Sequence, residues 1–439
     1  MRAPRRSSGV TMRAAVMVFI VSGVAACTGA SVDEPLLAVP GPAVQALTAP
    51  AAYPNNPNKD SLVAFFEALK SLEARTTEHV TILQIGDSHT AGDVLSGELR
   101  TLMQERFGNA GRGMMQAGTP FTGARPKDVT ITQTGSWKVS NSLTAPNDAP
   151  YDVTGFVSTS ASARASMTME VVDPGFFDRA RIDFLRRPGG GPLEIRVDGE
   201  RREVISTSGS LDEPDHVTVT VPGARQLQVV ALNPGTRISS WSIERFAPGV
   251  LLDSFGVVSA TVGLFDRWDP ALVRQNFYSL RPSLIIVAYG TNEGFVNNFD
   301  ATSYANEFAS TLARLHHDAP MASILVVGPP LAARTDPRCF KAGNPNNCRW
   351  EVPPALYAVR EIQQRAAADA GDAFWDWSQV MTRDGGVDAW FRADPALLRP
   401  DHIHQTVAGY QRSASSLFSY LMHRYDTFRQ SDQGGMRPS

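Results

Sequence analysis

The stretch Val80-Thr-Ile-Leu-Gln-Ile is apolar, and it stops abruptly at Gly86-Asp87-Ser88 before a helix-like segment that begins His89-Thr90. Such a run reads as a buried strand whose end turns sharply into a helix, which mounts Ser88 on the carboxyl edge of a sheet. Leu284-Ile-Ile-Val-Ala-Tyr and Ser323-Ile-Leu-Val-Val lack the alternation of half-exposed strands. They fit parallel strands covered on both faces. Phe374-Trp-Asp-Trp377 is a candidate for one more.

Helical spacing fills the intervals. Asp60-Ser61 is placed to cap a helix through Phe65, Leu69 and Leu72. Further helices are expected at about 93–106, 303–316, 354–370 and 406–424. Strand and helix alternating in this way imply an α/β, doubly wound three-layer fold with a parallel sheet. The pattern breaks between about Gly123 and Arg245. Short alternating runs such as His216-Val-Thr-Val-Thr-Val are separated there by turns such as Pro188-Gly-Gly-Gly and Asp198-Gly199. That reads as an inserted antiparallel β-sandwich. The other reading is extra strands on the main sheet. The expected division is α/β layers at 60–122 and 249–425, an insert at 123–248, and a frayed tail at 426–439.

The first 59 residues read differently. Arg2, Arg5, Arg6 and Arg13 precede an apolar stretch from Ala14 to Ala26 that is short for a membrane span. It ends Val24-Ala25-Ala26-Cys27, which resembles a bacterial lipobox. The resemblance implies cleavage after residue 26, lipidation of Cys27 and an exported protein tethered by the Ala/Pro-rich segment 27–59. Thr28 rather than Asp after that cysteine favours the outer membrane if the cell is Gram-negative. Export permits a disulfide between the two remaining cysteines, Cys339 and Cys348, which bracket a turn-rich loop; two free thiols are the other possibility. A net charge of -3 on 439 residues gives no electrostatic reason to expect nucleic acid.

A serine hydroxyl needs a neighbouring base to become nucleophilic. Among eight histidines, His404 stands out because Asp401 lies three residues before it, at the entry to the last helix. One turn then presents both side chains. Asp401 orients the ring and His404 activates Ser88. His402 lies in the same turn and reads as a flanking residue. His89 reads as substrate contact or packing, and Asp87 as a brace for the nucleophile turn. An oxyanion needs aimed donors. The Ser88 N–H is one, and Asn292, after the strand ending at Tyr289, is another. A glycine N–H commonly completes the set, with Gly111, Gly113 and Gly256 as candidates.

Gly86-Asp87-Ser88, Gly290-Thr-Asn292 and Asp401-x-x-His404 resemble the first, third and fifth blocks of the SGNH, or GDSL-like, hydrolases. The glycine that α/β-hydrolase elbows place two residues after serine is replaced by Thr90. Gly-Asp-Ser-His at the nucleophile, Phe107-Gly108-Asn-Ala-Gly111-Arg112-Gly113, a β-sandwich insert, and Pro400-Asp401 followed by Gly409-Tyr410 resemble the peptidoglycan O-acetylesterases of that superfamily. On this alignment Leu252-Asp-Ser-Phe-Gly256 opens the second block and Gly256 becomes the oxyanion glycine, although Val257-Val258-Ser259-Ala260 departs from the family's usual Asn-Gly-Ala.

The resemblance implies hydrolysis of O-acetyl esters through acetyl-Ser88, with the 6-O-acetyl of N-acetylmuramic acid in peptidoglycan as the expected substrate and with no metal or organic cofactor. Rival expectations are another acetylated polysaccharide or a lipid ester, acetyl transfer to a sugar, and a non-enzymatic carbohydrate-binding lipoprotein.

Overall fold

The computed structural model describes residues 60–122, 124–335, 339 and 349–434. The expected signal peptide, tether and Cys27 lie outside the described residues, as does Cys348. Cys339 is disulfide-bonded.

The chain enters through α1 (Val63–Glu73), β1 (His79–Gly86), the single turn α2 (Ser88–Ala91) and α3 (Leu95–Phe107). Eleven strands follow: β2 (Gly111–Gln116), β3 (Val129–Thr134), β4 (Trp137–Asn141), β5 (Phe156–Ser160), β6 (Ala165–Val171), β7 (Phe177–Arg186), β8 (Pro192–Val197), β9 (Glu200–Ser206), β10 (Glu213–Ala224), β11 (Gln226–Ala231) and β12 (Arg237–Glu244). The helical alternation then returns with β13 (Gly249–Gly256), α4 (Pro270–Leu280), β14 (Leu284–Ala288), α5 (Thr291–Gly294), α6 (Ala301–Asp318), β15 (Ser323–Gly328), α7 (Pro354–Ala370), β16 (Ala373–Asp376), α8 (Ser378–Arg383), α9 (Gly386–Arg392) and α10 (Val407–Gly434).

The main sheet is parallel, in the order β13-β1-β14-β15-β16. β1 is buried along nearly its whole length because helices cover both faces. Its side chains alternate between two cores. Val80 and Ile82 pack with Phe65 and Phe66 of α1, Leu99 of α3 and Leu417 of α10. Leu83 and Ile85 pack with Phe308 of α6 and Val359 of α7. This period of two is what a strand between two helical layers requires.

The insert is an antiparallel sandwich. One sheet runs β10-β7-β12-β5-β4, and the other β3-β6-β11-β8-β9. Their facing sides close over Phe177, Ile182, Ile195, Leu227 and Trp241. Trp241 has 0% of its surface exposed and is a core residue. Tyr151, Val153 and Phe156 of the insert share a core with Phe265 and Trp268 of the α/β layers, so the two parts are packed together.

Two expected boundaries are corrected. The insert does not begin at 123: β2 pairs antiparallel with β12, with Trp241 opposite Met115, and so belongs to the sandwich. Gly-rich Gly111-Arg-Gly113 carries no strand signal of its own, so tertiary pairing decides. The last helix does not end at 425 but continues to Gly434. Phe428 packs on Phe66, and Arg429 pairs with Glu73 at 2.9 Å, which gives this polar segment a reason to stay helical.

Candidate active site

Ser88 is the first residue of α2, directly above β1. Asp87 caps that turn: its Oδ1 accepts the His89 N–H at 2.9 Å. As the first helical residue, Ser88 has an N–H with no intrahelical acceptor. The turn sits where backbones crowd. Gly86 and Gly256 are register partners on β1 and β13. A Cβ at Gly86 would fall 2.5 Å from the Ala288 carbonyl, and one at Gly256 2.1 Å from the Ala91 nitrogen and 2.6 Å from the Asp87 carbonyl. Only glycine fits either place.

β13 and β14 flank β1 on opposite sides. The end of β13 and the helical turn α5 that follows β14 therefore bring Gly256 and Asn292 to the two sides of the Ser88 turn. Asn292 donates one amide hydrogen to the Ala260 carbonyl at 2.8 Å, which fixes the side chain and leaves its second amide hydrogen for another acceptor. Gly111 and Gly113, the other candidate glycines, lie in β2 of the sandwich.

The Ser88 Oγ lies 2.9 Å from His404 Nε2, and His404 Nδ1 lies 2.8 Å from Asp401 Oδ2. Asp401 Oδ1 accepts the N–H groups of Ile403 and His404, both at 2.9 Å. Burial opposes ionisation of Asp401, but the His404 ring hydrogen bond, those two N–H groups and the His404 charge outweigh it and hold the carboxyl at about 2. Asp401 is thus an anion that only accepts, so His404 Nδ1 carries the donated hydrogen and Nε2 is free to accept from the Ser88 hydroxyl.

Buried polar groups lie behind this row. His89 is buried against His404 at 5.3 Å between ring centroids, edge-on to Trp377, with Nδ1 2.9 Å from the Tyr410 hydroxyl. Burial pushes its imidazole down to about 3, so it stays neutral and is a packing residue. Asp87 is fully buried. Desolvation pushes it up to about 7, against the His89 N–H bond, the His404 charge and the Thr291 hydroxyl. Glu293 is likewise raised by burial to about 7, and its Oε1 accepts the Val262 N–H at 2.8 Å, tying α5 to the loop after β13. His402 turns inward and is 3% exposed.

Residues 232–412 match the model of the GDSL-like lipase/acylhydrolase family. A solved structure described as a peptidoglycan O-acetylesterase superposes with a TM-score of 0.69 at 24% identity, over 85% of this chain and 98% of that one. The fold is that of an SGNH hydrolase. Its parallel sheet carries the inserted sandwich, and Gly86-Asp87-Ser88 lies upstream of the stretch matched by the family model. A family two carbohydrate esterase from Clostridium thermocellum (TM-score 0.30, 12% identity, 67% of this chain and 99% of that one) and the acetyl xylan esterase AlAXEase (TM-score 0.29, 14% identity, 39% and 81%) are too distant to carry an argument. No curated protein sequence matches the chain.

Proposed function

We propose that this chain is a serine esterase that removes O-acetyl groups from a cell-wall polysaccharide, with acetylated peptidoglycan as its substrate. The observation that carries the reading is the continuous row Ser88–His404–Asp401, with contacts of 2.9 and 2.8 Å, at the carboxyl edge of the parallel sheet. His404 Nε2 takes the Ser88 proton as Oγ attacks the acetyl carbonyl. The N–H groups of Ser88 and Gly256 and the Asn292 amide stabilise the oxyanion. The protonated His404 then gives its proton to the departing sugar oxygen, leaving acetyl-Ser88. Water then attacks the acetyl carbonyl and loses a proton to His404, which passes it to the departing Ser88 Oγ as acetate is released.

The choice of substrate is supported by the likeness, over 85% of this chain, to a protein described as a peptidoglycan O-acetylesterase. We further propose that the protein is an exported lipoprotein anchored through Cys27, outside the described residues, and that Cys339 pairs with Cys348. Acetate release by the full chain from O-acetylated peptidoglycan, acetylated xylan and a long-chain ester, each with a Ser88→Ala control, tests the reading. Serine-dependent release from peptidoglycan alone supports it. Preference for xylan or the lipid ester replaces the substrate, and acetyl transfer to an added sugar without free acetate replaces hydrolysis.

A further inference from the structure

The turn that carries Asp401 and His404 is held from behind by rings. His402, between them, has a φ of 55°, a left-handed conformation unusual for a residue with a side chain. It turns the imidazole inward while the side chains of Asp401 and His404 stay 44% and 31% exposed. The His402 ring lies flat on Trp350, with centroids 3.8 Å apart and planes at 6°, and its surroundings include Phe391 of α9 at 4.2 Å. His402 Nδ1 is buried without a hydrogen-bond partner among the described residues, so ring contact and not a bond at that nitrogen secures the side chain. Burial holds the imidazole below its ordinary pKa, consistent with a neutral ring in the stack.

Trp350 is itself fastened. The next residue, Glu351, exchanges backbone hydrogen bonds with Arg334 at 3.0 and 2.9 Å, and Ala333 donates its N–H to the His402 carbonyl at 2.9 Å. Within the turn, Arg399 donates its N–H to the His404 carbonyl at 2.8 Å. The stack therefore connects the segment entering α7 to the backbone that fixes the His404 ring.

Resting on the serine-esterase reading, we propose that Trp350 and His402 are positioning residues, whose stacked rings hold the Asp401–His404 turn so that His404 Nε2 meets Ser88. Neither ring contributes a group to the row of hydrogen bonds. Their effect falls on the rate of the chemical step and not on substrate affinity, because small errors in the placement of a reacting group cost rate.

Glycine adopts a φ of 55° without strain, so His402→Gly keeps the turn's backbone and removes only the ring. Full-length wild type, Trp350→Ala, Trp350→Phe, His402→Gly and Ser88→Ala are compared in hydrolysis of a small acetyl ester and in the rate at which a fluorophosphonate labels Ser88. Melting temperatures set an assay temperature at which all are folded. The expected result is a fall of about tenfold or more in kcat and in labelling rate for Trp350→Ala and His402→Gly. KM should stay within about twofold, and Trp350→Phe should recover most of the rate. Unchanged kcat and labelling in Trp350→Ala, or a loss confined to KM, would overturn the inference. So would a Trp350→Phe variant as slow as Trp350→Ala. A wild type that is neither labelled nor active would overturn the esterase reading and this inference with it. A labelled wild type with equally labelled variants overturns this inference alone.

Discussion

The Ser88 hydroxyl and the His404 Nε2 lie 2.9 Å apart although 316 residues separate them along the chain. The sandwich accounts for part of that separation. It is spliced between β1 and β13, neighbours in the parallel sheet, and leaves their pairing intact from His79 opposite Gly249 to Gly86 opposite Gly256. The insert therefore leaves the Ser88 turn beside Gly256, at the ends of paired strands.

Asp401→Asn should leave Ser88 and His404 in place while removing the charge that selects the His404 tautomer. A fall in kcat of about 10⁴-fold is expected, as for the equivalent change in serine proteases. Acid stability should shift too. A carboxyl held at about 2 contributes stability that is present above its unfolded pKa and lost as pH falls through about 2. The wild type should therefore lose more stability than the variant between pH 5 and pH 2 (approximate bounds). Urea titrations across that window check the sign.

Asn292→Ala removes a proposed oxyanion donor and the hydrogen bond to the Ala260 carbonyl. The expected loss is about 10²–10³-fold in kcat with little change in KM. Steady-state kinetics on the acetyl substrate decide it, and activity near wild type would remove Asn292 from the proposed oxyanion site.

The buried Asp87, raised to about 7, makes stability depend on pH in the opposite sense. Between its unfolded pKa of about 4 and about 7, the unfolded chain has lost a proton that the native chain retains, so stability falls as pH rises. Asp253 and Glu293 are raised to about 7 by the same desolvation and add to the slope. Asp87→Asn keeps an oxygen for the His89 N–H and has no charge to bury. It should match the wild type near pH 4 and exceed it near pH 8 by roughly 2–4 kcal/mol. Equal slopes in the two proteins would show that Asp87 is ionised in the fold at neutral pH.

Removing residues 426–439 tests the extended last helix. The truncation deletes Phe428 from its packing on Phe66, together with the Arg429–Glu73 and Asp426–Arg106 pairs. The exposed pairs contribute little, but losing the buried ring should cost roughly 1.5–3 kcal/mol. Thermal melts of the two lengths measure this, and identical melting temperatures would show the segment to be dispensable.

The α/β layers were legible because their strands are apolar on both faces and their helices keep a helical period; α7 falls at 354–370 as expected. The candidates Ser88, Asn292, Asp401 and His404 could be picked out because each follows a strand end or precedes a helix, where such a sheet collects its chemistry. The place of β2 was not legible, because Gly111 and Gly113 carry no β-propensity and only the partner strand β12 specifies them. The continuation of α10 was hidden for a similar reason, since a polar helix end looks frayed until Phe66 is known to lie beside it. His402 and Trp350 were opaque because a stack between residues 52 positions apart by their numbering leaves no local pattern.

The most direct test is to mix the full chain with O-acetylated peptidoglycan, quench with acid within the first turnover, and determine by mass which peptide carries an acetyl group. The expected result is acetylation of the peptide containing Ser88, decaying as acetate appears, and absent from Ser88→Ala. Release of acetate with Ser88 unmodified at every time, or undiminished release by Ser88→Ala, would contradict the proposed mechanism.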